Sequence, residues 1–362
     1  RINNDNNIYG VLSTAILMAS DIPVRFADGS YGKDASSSTE NPLAAAVEPY
    51  NLSTSGRLLG TVFAEASLIE GLKIRTNWNL DQVSFKEDRF LPNTLNAASG
   101  LNGSATATNG GELNWSTSNY LTYNRSFNNI HSISATAGAD YQQSAYDFVL
   151  ASATNFPGNA IKRVSAGANK TDATSGGTSW GLVSYYGRLN YDYDGKYLVQ
   201  GVFRTDASSR FGANNRWGTF PSISVAWRAS KEQFMESVPA ISDLKIRASY
   251  GKTGNSEITN FGSLGLFGSG VAYQLNGALV PSQLSNPDLK WETTTTSEVG
   301  LDIGLLKNRL TINAGYYHKY TNDLLLNATI PATSGFTSVL QNIGEMQNNG
   351  FELGISSENI KG

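Results

Sequence analysis

Apolar and polar residues alternate in segments about ten residues long, and the segments recur along most of the chain. In one of them Val183, Tyr185, Gly187, Leu189, Tyr191 and Tyr193 fall on one side. Ser184, Tyr186, Arg188, Asn190, Asp192 and Asp194 fall on the other. Side chains in a strand point alternately to two faces, so this segment is a strand with a greasy face and a wet face. Asp194-Gly195 then makes a tight hairpin turn into the next strand. The same two-sidedness recurs at Leu72, Ile74, Thr76, Trp78 and Leu80 against Lys73, Arg75, Asn77, Asn79 and Asp81. It appears again at Leu244, Ile246, Ala248 and Tyr250 against Lys245, Arg247 and Ser249.

Read this way, the pattern predicts about eleven strands between residue 58 and the C-terminus. Their connections alternate in length. Short turns are expected at Glu70-Gly71, Asn128-Asn129, Asp194-Gly195 and Lys307-Asn308, and Ser/Thr/Gly/Asn-rich loops over 85–111, 151–178, 253–288 and 322–345. A shorter loop covers 206–216, and a connection over 229–242 holds a helical turn. Residues 1–55 read as a long extracellular loop with a short helix near Ile8–Ala19, and 56–362 as the strand region. Antiparallel up-and-down topology gathers short turns at one end and long loops at the other, as in a transmembrane β-barrel. The expected fold class is therefore all-β, an antiparallel up-and-down barrel wall.

Charge fixes the register. Lys73, Arg75, Arg188, Lys245 and Arg247 all fall on the polar faces. Each would cost about 2–4 kcal/mol if turned to lipid at the bilayer midplane. A one-residue slip would turn every one of them outward. Tyr191, Tyr193 and Tyr197 cluster beside a short turn, where an aromatic girdle would meet the membrane surface.

Composition narrows the classes. The net charge of -3 provides no basic footprint for nucleic acid. Absence of Cys removes disulfides and thiolate metal sites. No apolar run approaches the roughly 18 residues of a membrane-spanning helix, which leaves strands as the means of crossing. The chain opens without Met and stops just after a strand, so it reads as an internal piece of a longer protein.

Five sequence blocks carry a resemblance. They are Arg204-Thr205-Asp206-Ala207-Ser208-Ser209-Arg210-Phe211-Gly212 with Asn215-Arg216-Trp217-Gly218-Thr219-Phe220-Pro221-Ser222; Leu244 to Asn255; Asn286-Pro287-Asp288-Leu289-Lys290-Trp291-Glu292; Asn342-Ile343-Gly344; and Asn348-Asn349-Gly350-Phe351-Glu352. In order and spacing they resemble the SusC/RagA family. That resemblance implies a TonB-dependent transporter of the outer membrane of Bacteroidetes, a barrel of about 22 strands closed by an N-terminal plug. It implies a SusD-like surface lipoprotein as a lid, the TonB-ExbB-ExbD complex as energy source, and an oligosaccharide or peptide as cargo. Plug and TonB-contacting segment are absent from this chain. The rival readings are a passive structural or adhesive barrel and a soluble β-rich carbohydrate-binding protein.

No catalytic, cofactor or metal site is expected. His131 and His318 stand outside any nucleophile or ligand motif, and Asp192-Tyr193-Asp194-Gly195 lacks the later ligands of a calcium loop. The Gly262–Gly270 cluster follows no βαβ pattern, and Glu292 and Glu298 read as solvated wall carboxylates rather than a glycosidase pair. Asp206, Arg210 and Arg216 read as a charge network ordering a rim loop, in preference to a substrate or lid contact. Trp115, Phe267 and Tyr273 read as girdle or loop-packing aromatics in preference to sugar-stacking ones. Substrate-binding residues are not assigned.

Overall fold

A computed structural model describes residues 10–33, 39–274 and 276–360. Its strands are β1 (Tyr50–Ile69), β2 (Leu72–Leu91), β3 (Ser104–Phe127), β4 (His131–Thr154), β5 (Asn169–Tyr193), β6 (Tyr197–Ser208), β7 (Trp217–Arg228) and β8 (Ile241–Asn255). They continue with β9 (Leu266–Tyr273), β10 (Asn276–Gln283), β11 (Glu292–Leu305), β12 (Leu310–Asn322), β13 (Leu325–Thr329), β14 (Ser338–Asn342) and β15 (Glu345–Ser357). Three short helices, α1 (Val11–Leu17), α2 (Pro42–Val47) and α3 (Asn96–Ser99), lie among them. One sheet holds 11 strands in the order β1-β2-β3-β4-β5-β6-β7-β8-β11-β12-β15, each next to its predecessor in the chain apart from two inserted hairpins. Those hairpins are β9–β10 and β13–β14. The expected all-β antiparallel wall with eleven strands is thus observed, and its two outer strands, β1 and β15, do not pair with each other.

Four tight turns fall where the sequence puts them. Asn128 and Asn129 have φ of 51° and 58°, Asp194 and Gly195 have 53° and 62°, and Lys307 and Asn308 have 60° and 63°. Asn, Asp and Gly tolerate this left-handed region, which matches the twist of the flanking strands. Gly71 (φ 80°) serves the turn between β1 and β2.

Strand lengths depart from expectation. β1 starts at Tyr50, eight residues before the expected first strand, so the strand region begins before residue 56. The connection expected over 85–111 is mostly strand: β2 runs to Leu91 and β3 starts at Ser104. Likewise β4 runs to Thr154 and β5 starts at Asn169, inside the loop expected over 151–178. The extensions of β3 and β5 are rich in Ser, Thr, Asn and Gly on both faces, so alternation fades there, and that of β2 carries charges on both faces. The helix expected near Ile8–Ala19 is α1; Ile8 itself lies outside the described residues.

The chain forms two compact units. One comprises the described residues up to Gly60 with Leu80–Asn114 and Ser144–Ser179; the other comprises Thr61–Asn79, Trp115–Gln143 and the chain from Trp180 onward. The first unit is held by Phe90, Ala105, Ala153 and Phe156, with Phe90 edge-on to Phe156 at 5.1 Å. A second cluster joins Tyr31, Ala44 and Leu95. There Asn41 caps α2, accepting from the backbone N–H groups of Leu43 and Ala44 at 3.0 and 3.2 Å, while Pro42 occupies the first turn. The second unit is centred on Phe211, Phe220, Leu289 and Trp291.

Candidate functional site

Register in the second unit sorts the sheet into two unlike faces. One row crosses six strands through Val199, Val225, Ala248, Val299, Tyr316 and Phe351. The next row passes through Tyr197, Trp227, Ile246, Leu301, Ala314 and Leu353. Most of these side chains are exposed, Val299 to 58%, Leu353 to 69% and Phe351 to 86%, while Trp227, Ala248, Leu301 and Ala314 are half-buried. An apolar band this continuous does not belong on a surface facing water.

The row between them points the other way, through Leu198, Ala226, Arg247, Gly300, Gly315 and Glu352. On this face Arg247 pairs with Glu298 and with Asp302 at 3.6 Å, and Lys245 Nζ lies 2.8 Å from Asp302. Lys73 and Arg75 share Glu65 at 3.0 and 3.6 Å. Four of the five cations that fixed the register thus meet carboxylates on the polar face. The guanidinium of Arg247 lies over Gly300, where a Cβ would sit 2.5 Å from its central carbon. A concavity of about 800 Å³ opens on the polar face, bordered by Asn190, Asp192, Gln200, Arg228, Lys245 and Arg247. Its amides, hydroxyls and ion-paired charges can hydrogen-bond a hydrated solute.

Asp206, Arg210 and Arg216 lie near one another in sequence but do not converge on a common point. Asp206 is buried and accepts both of its bonds from Arg204 Nε, at 2.9 and 3.0 Å; a second Arg204 nitrogen reaches buried Ser184 at 2.9 Å. Arg210 is nearly enclosed. It donates to Asn260 Oδ1 at 2.9 Å and to the Ser256 carbonyl at 3.2 Å, pairs with Glu257 at 3.3 Å, and covers the Trp180 ring at 4.8 Å. Arg216 leaves its side chain exposed; its carbonyl accepts from Ser208 N at 3.1 Å and from Trp291 Nε1 at 2.7 Å.

Around these three the loops lock together. Trp291 packs on Phe211 and Phe220, each 5.3 Å away between ring centroids. Asn342 ties two loops by donating to the carbonyls of Lys290 and Asp323, at 2.8 and 2.9 Å, while accepting from Lys290 N. Glu292 accepts from Leu325 N at 3.2 Å, a backbone role. Arg204 and Asn342 stand in the blocks that carry the family resemblance but were given no site role from sequence. Arg204 shares the polar parity of Gln200 in β6, and that parity was the available signal.

The other flagged residues are dispersed. His131 shares a 2.7 Å bond with Tyr191 on the apolar face, and His318 pairs with Asn349. Trp115 packs on Tyr141 at 4.9 Å. Phe267 and Tyr273 stand exposed on β9. Asp192 Oδ1 accepts from Gly195 N at 2.6 Å, which closes the hairpin turn. Beside that turn Glu232 accepts from Tyr197 OH at 2.6 Å and Trp227 Nε1 at 3.1 Å, with Lys196 3.8 Å away. These donors, the tyrosine foremost, hold its carboxyl below the ordinary glutamate range.

The sequence profile described as TonB dependent receptor-like, beta-barrel matches residues 19–358. The chain belongs to the TonB-dependent receptor β-barrel family. Among family members, TonB-dependent receptor P3 of Formosa agariphila is 35% identical over 357 residues, which is 97% of this chain and 36% of that protein. TonB-dependent receptor SusC of Bacteroides thetaiotaomicron is 40% identical over 187 residues, 49% of this chain and 19% of SusC. The solved RagAB peptide transporter superposes with a TM-score of 0.83 at 27% identity, covering 92% of this chain and 37% of the transporter chain. The resemblance to the SusC/RagA group is therefore upheld. The chain spans about a third of the length of the TonB-dependent receptors it matches most fully.

Proposed function

We propose that this chain forms part of the outer-membrane barrel wall of a TonB-dependent importer of oligosaccharides or peptides. The carrying observation is the pair of opposed rows. The exposed Val299–Phe351 band would face lipid and the ion-paired Arg247–Glu298 row would face a wet lumen. An open sheet does not persist in a bilayer, because its edge groups would go unsatisfied; β1 and β15 would therefore continue into further strands of a closed barrel. In this reading the residues before β1 belong to an extracellular loop region and the chain from Tyr50 onward to the wall. A SusD-like lipoprotein closes over the long-loop end, and the TonB complex drives uptake through a plug. Asp206, Arg210 and Arg216 hold rim loops in shape and do not touch cargo, consistent with their bonds to loop backbone and to neighbouring side chains.

The test is uptake in the native host. Deletion of the gene is expected to abolish growth on one class of glycan or peptide as sole nutrient, and disabling TonB is expected to reproduce that loss. Normal growth and uptake on every nutrient, with the protein in the outer-membrane fraction, would favour a passive barrel; recovery without detergent would favour a soluble protein.

A further inference from the structure

In the first unit three aromatic rings stand on the polar face among hydroxyls, charges and the apolar Val83 and Leu150. Odd positions of β2 form the polar face there, as Asp81 shows by its bond from Arg57 at 2.6 Å and Glu87 by its bond from Ser53. Phe85 shares their parity. Even positions of β3 and β4 face the same way, since Ser144 donates to Glu112 at 3.0 Å and Thr106 bonds Ser152 at 3.1 Å. Tyr146 and Phe148 share that parity.

The three rings form a continuous row. Phe85 and Tyr146 have centroids 6.3 Å apart and planes within 12°, and Phe148 follows Tyr146 at 6.0 Å with its plane tilted by 34°. Glycines leave room beside Phe85 and Phe148. A Cβ on Gly110 would come 2.8 Å from the Phe85 ring and 2.9 Å from Phe148 Cβ; one on Gly176 would come 2.9 Å from the Phe148 ring. Every residue of the trio is only half-buried. The result is a floor about three rings wide, with the Glu112–Ser144 pair on one side along the strands and Thr106–Ser152 on the other.

We infer that this floor, Phe85, Tyr146 and Phe148, is a stacking subsite for the pyranose rings of a neutral oligosaccharide. A pyranose presents an apolar C–H face to a flat aromatic ring and hydroxyls around its rim, where Ser, Thr and a carboxylate can meet them. The Glu112 carboxylate disfavours an anionic sugar at that rim. The inference rests on the importer reading and narrows its cargo from glycan or peptide to neutral glycan.

The experiment uses the full-length transporter purified in detergent. Binding of malto-, laminari-, xylo- and mannohexaose, of an alginate hexamer and of a peptide digest is measured by calorimetry. Wild type is compared with Phe85→Leu, Phe148→Leu and Phe85→Ala/Phe148→Ala. Leucine keeps apolar bulk and removes the flat face, so its variants guard against simple misfolding, and Val149→Ala on the opposite face is the control. At least one neutral hexasaccharide is expected to bind wild type, about fivefold more weakly in each leucine variant and far more weakly in the double variant. Val149→Ala is expected to bind as wild type. The inference is overturned if the ring variants bind that sugar as wild type does, or if only the alginate, only the digest or nothing binds. Uptake by the host separates the two readings. TonB-dependent uptake that ignores the ring variants sinks the subsite and leaves the importer. Ring-dependent binding without TonB-dependent uptake sinks the importer and leaves the subsite.

Discussion

Replacing Trp291 tests whether the buried ring cluster holds the loops of the second unit. Trp291 is 7% exposed, packs against Phe211 and Phe220, and donates its indole N–H to the Arg216 carbonyl. Trp291→Ala removes the ring from a packed site and costs about 3–5 kcal/mol of local stability. Trp291→Phe keeps a ring and loses the hydrogen bond. The Arg216 carbonyl still accepts from Ser208 N, so no orphaned acceptor remains and the cost is about 1 kcal/mol. Hydrogen exchange of the loop peptides covering 209–216, 284–291 and 338–344 reads these openings directly. Exchange there is expected to accelerate a hundredfold or more in the alanine variant, about fivefold in the phenylalanine variant, and not at all in the short turns. Unchanged exchange in Trp291→Ala, or equal acceleration in both variants, would refute packing as the source of loop order.

Three further outcomes follow from the wall. Gly300→Val places a side chain under the Arg247 guanidinium and is expected to destabilise the folded barrel by about 1–3 kcal/mol, read as a lower midpoint of heat-dependent gel mobility; an unshifted midpoint would show that Arg247 moves aside freely. Ile246→Arg turns a charge onto the apolar row and is expected to cost about 2–4 kcal/mol of stability in lipid vesicles, while Arg247→Ile next door costs less; equal costs would overturn the assignment of faces. Because the Glu232 carboxyl titrates below its unfolded value, its contribution to the turn is present above the ordinary glutamate range and lost as pH falls through the depressed value. Exchange of peptides over 229–238 is expected to rise only in that acid window and to lose the step in Glu232→Gln; a step at neutral pH would contradict the assigned bonds.

Much of this fold was legible because one face is greasy. The contrast of Ile246 with Arg247, or of Tyr191 with Asp192, set strand and register together, and the ion pairs of Lys73, Arg75, Lys245 and Arg247 bear it out. Where both faces are hydroxyl-rich, as over 104–111 and 169–179, the contrast vanishes and the strands looked like loops. The aromatic floor was hidden for the same reason. Phe85 stood at the start of a presumed loop, and Gly110-Gly111 and Gly176-Gly177 passed as loop composition. A glycine doublet in each of two strands, with aromatics in the strands beside them, was the readable trace. The hairpins β9–β10 and β13–β14 carry little alternation and went unseen. Asp206 bonds Arg204 two residues away in the chain, whereas Asn260 and the Trp291 indole reach Arg210 and the Arg216 carbonyl only through folding.

The buried cluster also divides the labour of change over generations. Phe211, Leu289 and Trp291 are sealed, whereas Phe267, Tyr273 and Leu279 on the β9–β10 hairpin stand open and lie outside the cluster. Substitutions at the exposed tip of that hairpin, away from Gln283 and its bonds to the Phe261, Gly262 and Leu264 carbonyls, are therefore expected to leave its base intact. A lineage carrying this wall can sample new tips by point mutation or by exchange of the hairpin while the stem stays fixed, so descendants are expected to diverge fastest between residues 266 and 283.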